Sequence, residues 1–369
     1  DVLFDAGKEL EKLMGALVGN SAASSFKDIA PTALKEIEHK MSLFVSGKQT
    51  GITTGLVDLD KITTGWHGGE LVILAARPAM GKTAVSLHFA KSAAKHGIPV
   101  VIFSLEMTAG SLFERFIASE SNVHPSKLRS GNINREELHQ IDTAIGSTLY
   151  NLPIRIDDNA SVNMGYIRAM CRLYHRQQEC GLVVIDYLQL VTENSNGNRN
   201  REQEIARMSR EAKMIAKELN IPVILLSQLN REVDKRQDKK PILADLRESG
   251  AIEQDADMVC FIHRPEYYKI YQDDRGNDLR GMAEIVIAKH RNGAVGEVLL
   301  RFKGEFTRFS NPEDDMVIPM PGETVGPMLG SKMNRDSVGS VPPPPAPDFE
   351  PQSGNPFATP IGGDGPLPF

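Results

Sequence analysis

The sequence predicts an α/β domain in which helices flank a mostly parallel, twisted sheet that ends in an antiparallel hairpin. Short apolar runs of strand length recur, helical stretches lie between or beside the first five runs, and only the turn KHRNGAVG separates the last two. Near-continuous Val, Ile and Leu is typical of strands covered on both faces, and the alternation favours parallel pairing through right-handed crossovers. The runs are LVILAA (71–76), PVVIFSL (99–105), LPIRID (152–157), LVVIDY (182–187), PVILLSQ (222–228), MVCFIH (258–263), AEIVIAK (283–289) and EVLLRF (297–302).

The clearest helix between these runs is EIARMSREAKMIAKEL (204–219). Its apolar residues recur at helix spacing, which predicts an amphipathic helix. They are Ile205, Met208, Ala212, Ile215 and Leu219.

The N-terminal region, residues 1 to about 50, has the pattern of helices joined by a polar linker. The stretch SSFKDIAPTALKEIEHKMSLF places its apolar residues roughly on one stripe, and Pro31 suits the first turn of a helix. The stripe packs either on the chain's own core or on a neighbouring subunit, and the sequence leaves both open. Its residues are Ile29, Leu34, Ile37, Met41 and Leu43.

The composition is that of a globular protein, with 41% hydrophobic and 24% charged residues. No apolar run reaches the length of a membrane span, and the start lacks a signal-peptide pattern. Because the chain opens on Asp1 inside a helical pattern, it has the character of a fragment. The net charge of −6 means that any nucleic-acid binding must come from local basic groups.

The cysteines Cys171, Cys180 and Cys260 form no CxxC pair and no Cys/His spacing typical of a metal site. We therefore expect buried, reduced thiols, which fits a reducing cytoplasm.

A phosphate loop is predicted where the first apolar run ends, at ARPAMGKT (76–83). Gly81 lets successive backbone N–H groups face phosphates, Lys82 places a charge beside the β and γ phosphates, and the Thr83 hydroxyl can bind Mg²⁺. The following helix directs its positive N-terminal end at the same anion. Ala76 departs from the glycine usual at the first position. The predicted ATP-binding loop is completed by Arg77, Pro78, Ala79, Met80 and Ala84.

Three polar residues follow other strands of the predicted sheet. Asp186 ends VVID and can hold Mg²⁺ beside the phosphate loop. Glu106 follows VIFSL at the carboxyl edge, where a carboxylate can orient and deprotonate an attacking water. Gln228 ends PVILLSQ and can sense the γ-phosphate. On spacing alone, Glu106 could equally be a solvated loop residue, and Gln228 a structural strand-end amide.

Two basic stretches lie further along the chain. Residues 231–257 mix cations with carboxylates and have the pattern of a mobile, solvated loop, in which Arg247 and the Gly250 backbone could track a phosphate backbone. Lys289 and Arg291 stand before the Asn292–Gly293 turn, where they could act as arginine-finger-type groups in a neighbour's site. A plain charged surface and a hairpin with two solvated cations are the alternatives.

Taken together, ARPAMGKT, SLEM, VVIDYLQL, SQLNR, DLRESGAIEQDAD and KHRNG closely resemble, in order and spacing, the DnaB-family replicative DNA helicases of bacteria. The resemblance covers about residues 26 to 310. Alanine is common at the first phosphate-loop position of that family, so Ala76 no longer counts against ATP binding. The family implies a RecA-like P-loop ATPase core that assembles as a homo-hexamer around single-stranded DNA and unwinds duplex 5′ to 3′.

The resemblance also implies residue roles. Lys82 binds phosphates, Thr83 and Asp186 bind Mg²⁺, and Glu106 is the catalytic carboxylate. Gln228 senses the γ-phosphate, and Arg115 is a further residue of the ATP site. Lys289 and Arg291 act in the adjacent subunit's site. The residues implied to hold the DNA backbone are Arg247, Glu248 and Gly250.

The implied domains are a remnant of a helical N-terminal domain (1–25), a linker helix that docks on the neighbouring core (26–50), the RecA-like core (51–311) and a disordered Pro-rich tail (312–369). The tail has no counterpart in the family pattern, and its end GDGPLPF is either a partner-binding motif or featureless. The expected partners are primase and a helicase loader, in the cytoplasm, with no membrane. Because only the last helices of the N-terminal domain could be present, ring closure, loading and primase contact are not assured.

Two other functions fit parts of the pattern. A RecA-like recombinase or mediator would form DNA filaments with strand exchange and without unwinding. A nucleotide-gated scaffold that recruits partners through the tail would bind ATP without DNA-stimulated turnover. The complete set of Glu106, Asp186 and Arg291 argues against the scaffold, since a scaffold has no need of every catalytic group.

Overall fold

A computed structural model describes residues 25–159, 162–186, 201–273 and 275–314 of the chain. These residues lie in one compact unit, Asp1–Val317, and a second unit is Ile318–Phe369. The predicted N-terminal remnant, apart from residue 25, and the predicted disordered tail, apart from residues 312–314, lie outside the described residues. Across the described ranges, no helix combines the length and the apolar character that a membrane crossing requires.

The strands that the sequence predicts are all present, and one more follows them. The additional strand, of three residues, was missed because it is too short to show a periodic pattern. The strands are β1 (Leu71–Ala76), β2 (Val100–Ser104), β3 (Ile154–Asp157), β4 (Leu182–Asp186), β5 (Val223–Gln228), β6 (Met258–His263), β7 (Met282–His290), β8 (Gly296–Lys303) and β9 (Arg308–Ser310).

Over the described residues the strands form one sheet in the order β3-β2-β4-β5-β1-β6-β7-β8-β9. The first six strands of this order pair in parallel, and β7, β8 and β9 continue the sheet antiparallel. The predicted mostly parallel sheet and its C-terminal hairpin are therefore confirmed. The carboxyl ends of β1, β2, β4 and β5 lie along one edge, which we call the carboxyl edge, and the opposite edge is the amino edge.

The α-helices cover both faces of the sheet. They are α1 (Phe26–Val45), α2 (Val57–Thr63), α3 (Lys82–Lys95), α4 (Ala109–Ser121), α5 (Pro125–Ser130), α6 (Arg135–Ala144), α7 (Met164–Arg176), α8 (Arg201–Leu219) and α9 (Gly250–Asp255). A π-helical turn, Ile145–Leu149, follows α6, and short 3-10 helices occupy Arg231–Lys235, Leu243–Ser249, Pro265–Tyr268 and Gly304–Phe306.

Two apolar cores lie on the two sides of the sheet. Alternate residues of β1 supply both, since Val72 and Leu74 belong to the core under α3, whereas Leu71 and Ile73 belong to the core under α7 and α8. The apolar face predicted for 204–219 belongs to α8: Ile205 and Ile215 are buried, and Leu219 packs against the same core. All three cysteines are buried and free, as predicted.

Helix α1 carries its apolar stripe into solvent, because none of its residues is buried. Leu34, Ile37 and Met41 are 58%, 54% and 62% exposed. The alternative in which this stripe packs on the chain's own core is therefore wrong. The helix begins at Phe26, and Pro31 lies inside it and not in the first turn.

The segment 231–257 is not the solvated loop that its charge suggested. It folds into two 3-10 helices and α9, and Val233, Leu246 and Ile252 are buried in the core beneath α8. Its charges pair internally, as between Arg236 and Asp245. The sequence did not predict this order, because the segment is anchored by single apolar residues at wide spacing. Such residues produce no hydrophobic periodicity.

Candidate nucleotide site

Two residues of the loop between β1 and α3 have backbone dihedral angles in the left-handed region. Gly81 has φ of 96°, and a Cβ there would approach ring carbons of Phe309 to 2.9 Å, so conformation and space both require glycine. Ala79 has φ of 65°, a conformation that costs a non-glycine residue about 1–2 kcal/mol. Strain of this kind concentrates at ligand-binding loops.

Asp186 joins two phosphate-loop residues at the carboxyl edge. The Thr83 hydroxyl donates a hydrogen bond to Asp186 Oδ2 at 2.8 Å, and Lys82 Nζ lies 3.6 Å from Asp186 Oδ1. The strand order explains the meeting, because β4 and β1 both flank β5 and all three strands are parallel. The predicted proximity of Lys82, Thr83 and Asp186 is present in the structure.

This cluster suits a magnesium ion. Asp186 Oδ1 is buried and accepts no hydrogen bond from the described part of the chain, which leaves a carboxylate oxygen available beside the Thr83 hydroxyl. Mg²⁺ prefers oxygen ligands and is commonly held by one carboxylate and one hydroxyl next to phosphates. Thr83 and Asp186 therefore fit the group that the sequence predicted.

The charge on Lys82 is tuned by its surroundings. Burial lowers the pKa of the Lys82 ammonium, while the carboxylates of Asp186 and Glu106 oppose that effect. A triphosphate beside Lys82 adds negative charge and thereby favours the protonated form further. The ammonium is thus placed where an anion stabilises it.

Glu106 and Gln228 lie at the carboxyl ends of β2 and β5, two strands that are separated by β4 in the sheet. Glu106 lies in the bend after β2 with an exposed side chain, and the Ser104 hydroxyl shapes that bend by donating to Met107 O at 2.7 Å. Gln228 ends β5 opposite Ala76, and its side chain is exposed. Both side chains are exposed, and their roles stay predictions.

Arg115 lies on α4 near the first turns of α3. It lines a cavity of about 20 Å³ together with Ala84, His88 and Phe309. The side chain is partly buried there, beside residues of the first half of α3. Its part in ATP binding stays a prediction.

Lys289 and Arg291 lie at the amino edge, away from the phosphate loop. His290, the last residue of β7, pairs with Met258, the first residue of β6. Since β1 and β6 are parallel and β1 has six residues, about 20 Å of strand separates this point from the loop. The structure does not bring these two cations to the site formed by Lys82.

Both cations hold contacts within the chain, and the Arg291 side chain is still 46% exposed, so the alternative of a hairpin with solvated cations holds in part. Arg291 Nη1 donates to Asp257 Oδ1 at 3.1 Å, and its Nη2 donates to the carbonyl of Gln254. Lys289 Nζ donates to the carbonyl of Glu253. These contacts fasten the end of β7 to the C-terminal turn of α9.

The predicted DNA contacts fall on the backbone between β5 and β6. Arg247 and Glu248 lie in the 3-10 helix Leu243–Ser249, and Gly250 begins α9. Their side chains lie outside what the structure describes, so their contact with DNA stays a prediction.

Two phosphate-loop contacts had no signal in the sequence pattern. Arg264 Nη1 donates to the carbonyl of Ala79 at 3.1 Å, and its guanidinium carbon lies 3.8 Å from the centre of the Phe302 ring. Arg77 forms an ion pair with Asp234. Both contacts join residues that are far apart in the chain, so only the folded chain reveals them.

Comparison with known proteins identifies close relatives of this arrangement. A family model described as the DnaB-like helicase C terminal domain matches residues 51–311. The replicative DNA helicase DnaC of Bacillus subtilis (strain 168) is 42% identical over 327 residues, which are 87% of this chain and 70% of that protein. The replicative DNA helicase DnaB of Geobacillus stearothermophilus is 42% identical over 326 residues, with the same coverage of 87% and 70%.

Solved structures resemble the fold in the same way. One of them, an isolated ATPase domain, superposes with a TM-score of 0.71 at 37% identity, covering 79% of this chain and 99% of that one. A DnaB-like replicative helicase, solved in a study of its interactions with primase, superposes with a TM-score of 0.68 at 36% identity, covering 82% of this chain and 71% of that one.

Proposed function

Since the chain belongs to the DnaB-like family of replicative DNA helicases, which are ATP-hydrolysing enzymes, we propose that it moves 5′ to 3′ along single-stranded DNA and unwinds duplex at the replication fork. The observation that supports this most is the meeting of Lys82, Thr83 and Asp186 at the carboxyl edge. It is the arrangement that a P-loop motor needs to bind ATP with Mg²⁺.

Each residue of the site has a chemical task in this proposal. Lys82 and the backbone of the phosphate loop hold the triphosphate, and Thr83 and Asp186 hold Mg²⁺, which neutralises phosphate charge when bound. Glu106 orients the attacking water and accepts its proton. Gln228 contacts the γ-phosphate, so that its position differs before and after hydrolysis.

The hydrolytic site is completed by a second copy of the chain. Lys289 and Arg291 lie at the amino edge, which is at the opposite end of the strands from Lys82. A cation that cannot reach its own phosphate loop can reach one presented by a neighbour, where it stabilises charge on the transferred phosphoryl group. A ring in which carboxyl edge faces amino edge, here a homo-hexamer, supplies that geometry at every interface.

The exposed stripe of α1 supports the same assembly. Leu34, Ile37 and Met41 form an apolar face that the described part of the chain leaves uncovered. In the proposed ring, the core of a neighbouring subunit covers this apolar face. DNA then lies in the channel against Arg247, Glu248 and Gly250, held through its sugar–phosphate backbone and without sequence preference.

The proposal extends to location and partners. A replicative motor acts in the cytoplasm, where DNA is copied. A primase and a loader are proposed partners of the full-length protein. Primase is suggested by the solved relative whose interactions with primase were studied.

The test is ATP hydrolysis by the 369-residue chain with and without single-stranded DNA, for wild type and Glu106→Ala. We expect DNA-stimulated turnover that is lost in Glu106→Ala, followed by unwinding of a forked duplex with a 5′ tail. Strand exchange without unwinding would favour a recombinase instead. Nucleotide binding without DNA-stimulated turnover, in a chain of confirmed hexameric mass, would contradict the motor.

A further inference from the structure

Arg77, inside the phosphate loop, is fixed by a carboxylate from another part of the chain. Its Nε and Nη2 donate to Asp234 Oδ2 at 3.0 and 2.7 Å, and its Nη1 donates to the carbonyl of Leu229 at 3.0 Å. The two donors converge on one carboxylate oxygen, and the third hydrogen bond from Nη1 fixes the orientation of the guanidinium as well. The Arg77 side chain is 13% exposed and the Asp234 side chain 38% exposed, so the arginine is shielded from water while the carboxylate is partly open to it.

Asp234 is held on its other side as well. The Tyr268 hydroxyl donates to Asp234 Oδ1 at 2.8 Å. Lys239 Nζ donates to the backbone carbonyl of the same residue. The desolvation of Tyr268 and its bond to Asp234 raise the pKa of the Tyr268 phenol, which therefore stays a donor at neutral pH.

A second ion pair continues from the 3-10 helix that carries Asp234. Arg236 Nη1 and Nη2 donate to Asp245 Oδ1 and Oδ2 at 2.8 and 2.5 Å, in the two-pronged geometry. Asp245 is 3% exposed and also accepts from the backbone N–H of Ile242 at 2.7 Å. Its carbonyl accepts from the N–H of Asn230 at 3.1 Å, which closes the segment on itself.

We call residues 228–246 the sensor arm. It begins at Gln228, the proposed γ-phosphate sensor, and ends at Leu246, directly before Arg247. Val233 and Leu246 anchor the arm in the core at 0% and 3% exposure, whereas Lys235 and Asp238 between them are exposed. Ion pairs and packed side chains therefore connect the two ends of the arm.

We propose that Asp234 is a positioning residue that couples the phosphate loop to the DNA-binding segment through Arg77, the sensor arm and the Arg236–Asp245 pair. Nucleotide binding shifts the loop and Arg77 with it, the arm follows, and Arg247 changes its grip on DNA. The inference rests on the proposed function, and it adds a route within one subunit that is separate from the contact made by Arg291 across the interface.

The quantity that tests it is the coupling factor, the ratio of single-stranded DNA affinities with and without a non-hydrolysable ATP analogue. By linkage the analogue's affinity must change by the same factor when DNA is added, so each protein is measured in both directions. We expect a wild-type factor of about five or more. We expect Asp234→Asn to bring the factor close to one, together with the stimulation of ATP turnover by DNA.

Three variants separate coupling from simple damage. Tyr268→Phe keeps the Arg77–Asp234 pair and should lower the factor less than Asp234→Asn, whereas Asp234→Glu keeps the charge and should restore part of it. The matched control is Glu218→Gln, because Glu218 on α8 is likewise a carboxylate that accepts hydrogen bonds from arginine, in this case from Arg168 and Arg172 of α7. It should leave the coupling factor and DNA stimulation at wild-type values.

The outcomes are distinguishable. If Asp234→Asn and Tyr268→Phe both keep the wild-type coupling factor, the arm does not transmit and the inference is wrong. If Glu218→Gln lowers the factor as much as Asp234→Asn, the effect is unspecific and the inference is equally wrong. If wild type itself shows no stimulation by DNA, the proposed motor function fails first. Thermal unfolding of each variant shows whether it is still folded. If Asp234→Asn does not fold, the coupling factor of Tyr268→Phe decides whether the inference holds.

Discussion

The two edges of the sheet differ in how much of their chemistry one chain completes. At the carboxyl edge, Lys82, Thr83 and Asp186 already contact one another, and Gly81 is shaped by Phe309. At the amino edge, Lys289 and Arg291 contact the end of α9 and Asp257, and their own phosphate loop is out of reach. The difference teaches that one chain by itself assembles the cluster proposed to bind nucleotide, whereas it keeps the cations proposed to complete hydrolysis away from that cluster.

The largest effect is expected at the edge that is complete. Lys82→Ala removes the ammonium beside the phosphates, so ATP turnover should fall to background and nucleotide affinity should fall with it. Turnover and binding of a fluorescent ATP analogue measure the two losses. Retention of more than about a tenth of the wild-type rate would mean that the loop does not hold the reacting phosphates.

Arg291→Ala tests the incomplete edge. It should leave nucleotide binding nearly intact and lower turnover by at least about a hundredfold, because an arginine finger contributes roughly 10³ to 10⁵ in rate. Arg280→Ala is a matched control, since Arg280 is an exposed arginine paired locally with Asp278.

Mixed assemblies sharpen this comparison. Rings formed from Lys82→Ala and Arg291→Ala chains contain some interfaces with both an intact loop and an intact Arg291. Their turnover should exceed that of either variant alone. Absence of any recovery, with mixing verified, would contradict a role of Arg291 in the neighbouring subunit's site.

The carboxyl edge should also respond to acid. His263, at the end of β6, has its pKa lowered to about 4 by burial and by Lys240. Since this lies below the ordinary 6.5, the unfolded chain binds the proton first as pH falls. Stability is therefore full above about pH 6.5 and declines down to about pH 4, by at most ~3 kcal/mol for this group.

Urea unfolding across that pH range measures the decline. His263→Phe should flatten the slope of unfolding free energy against pH, whereas His139→Phe, at an exposed position on α6, should not. Equal slopes in wild type and His263→Phe would remove His263 as a cause.

The smallest effect on stability is expected at α1. Ile37→Asp with Met41→Asp should change the free energy of unfolding by less than about 0.5 kcal/mol, since both side chains are exposed within the chain. The oligomer mass in the presence of nucleotide should fall. Lys35→Glu, on the opposite side of the same exposed helix, is the control and should leave the mass unchanged. A loss of monomer stability would instead show that α1 packs on its own core.

Much of the fold could be predicted because the core strands are long apolar runs. LVILAA and PVILLSQ form the neighbouring parallel strands β1 and β5, as their composition indicated. The charged segment 231–257 could not be predicted in the same way. Its order comes from Val233, Leu246 and the Arg236–Asp245 pair, and isolated anchors of this kind carry no period.

The candidate site divides similarly. Lys82, Thr83 and Asp186 were predicted to meet, because strand ends of a parallel sheet share one edge, and the structure brings them together. The contacts of Arg77 with Asp234 and of Arg264 with Ala79 were not foreseen. They depend on the positions of a 3-10 helix and of the end of β6 in the folded chain, which the local sequence does not specify.

The sequence by itself determined the alternation of strands and helices, the phosphate loop and the family, because strand hydrophobicity and a Gly-Lys-Thr turn are local properties. Only the tertiary structure decided that Lys289 and Arg291 lie at the opposite end of the strands from Lys82. It also decided that the described part of the chain leaves the stripe of α1 uncovered, and that Asp234 binds Arg77 of the phosphate loop. These facts are set by strand order and by contacts between distant residues. Such relations exist only once the chain has folded.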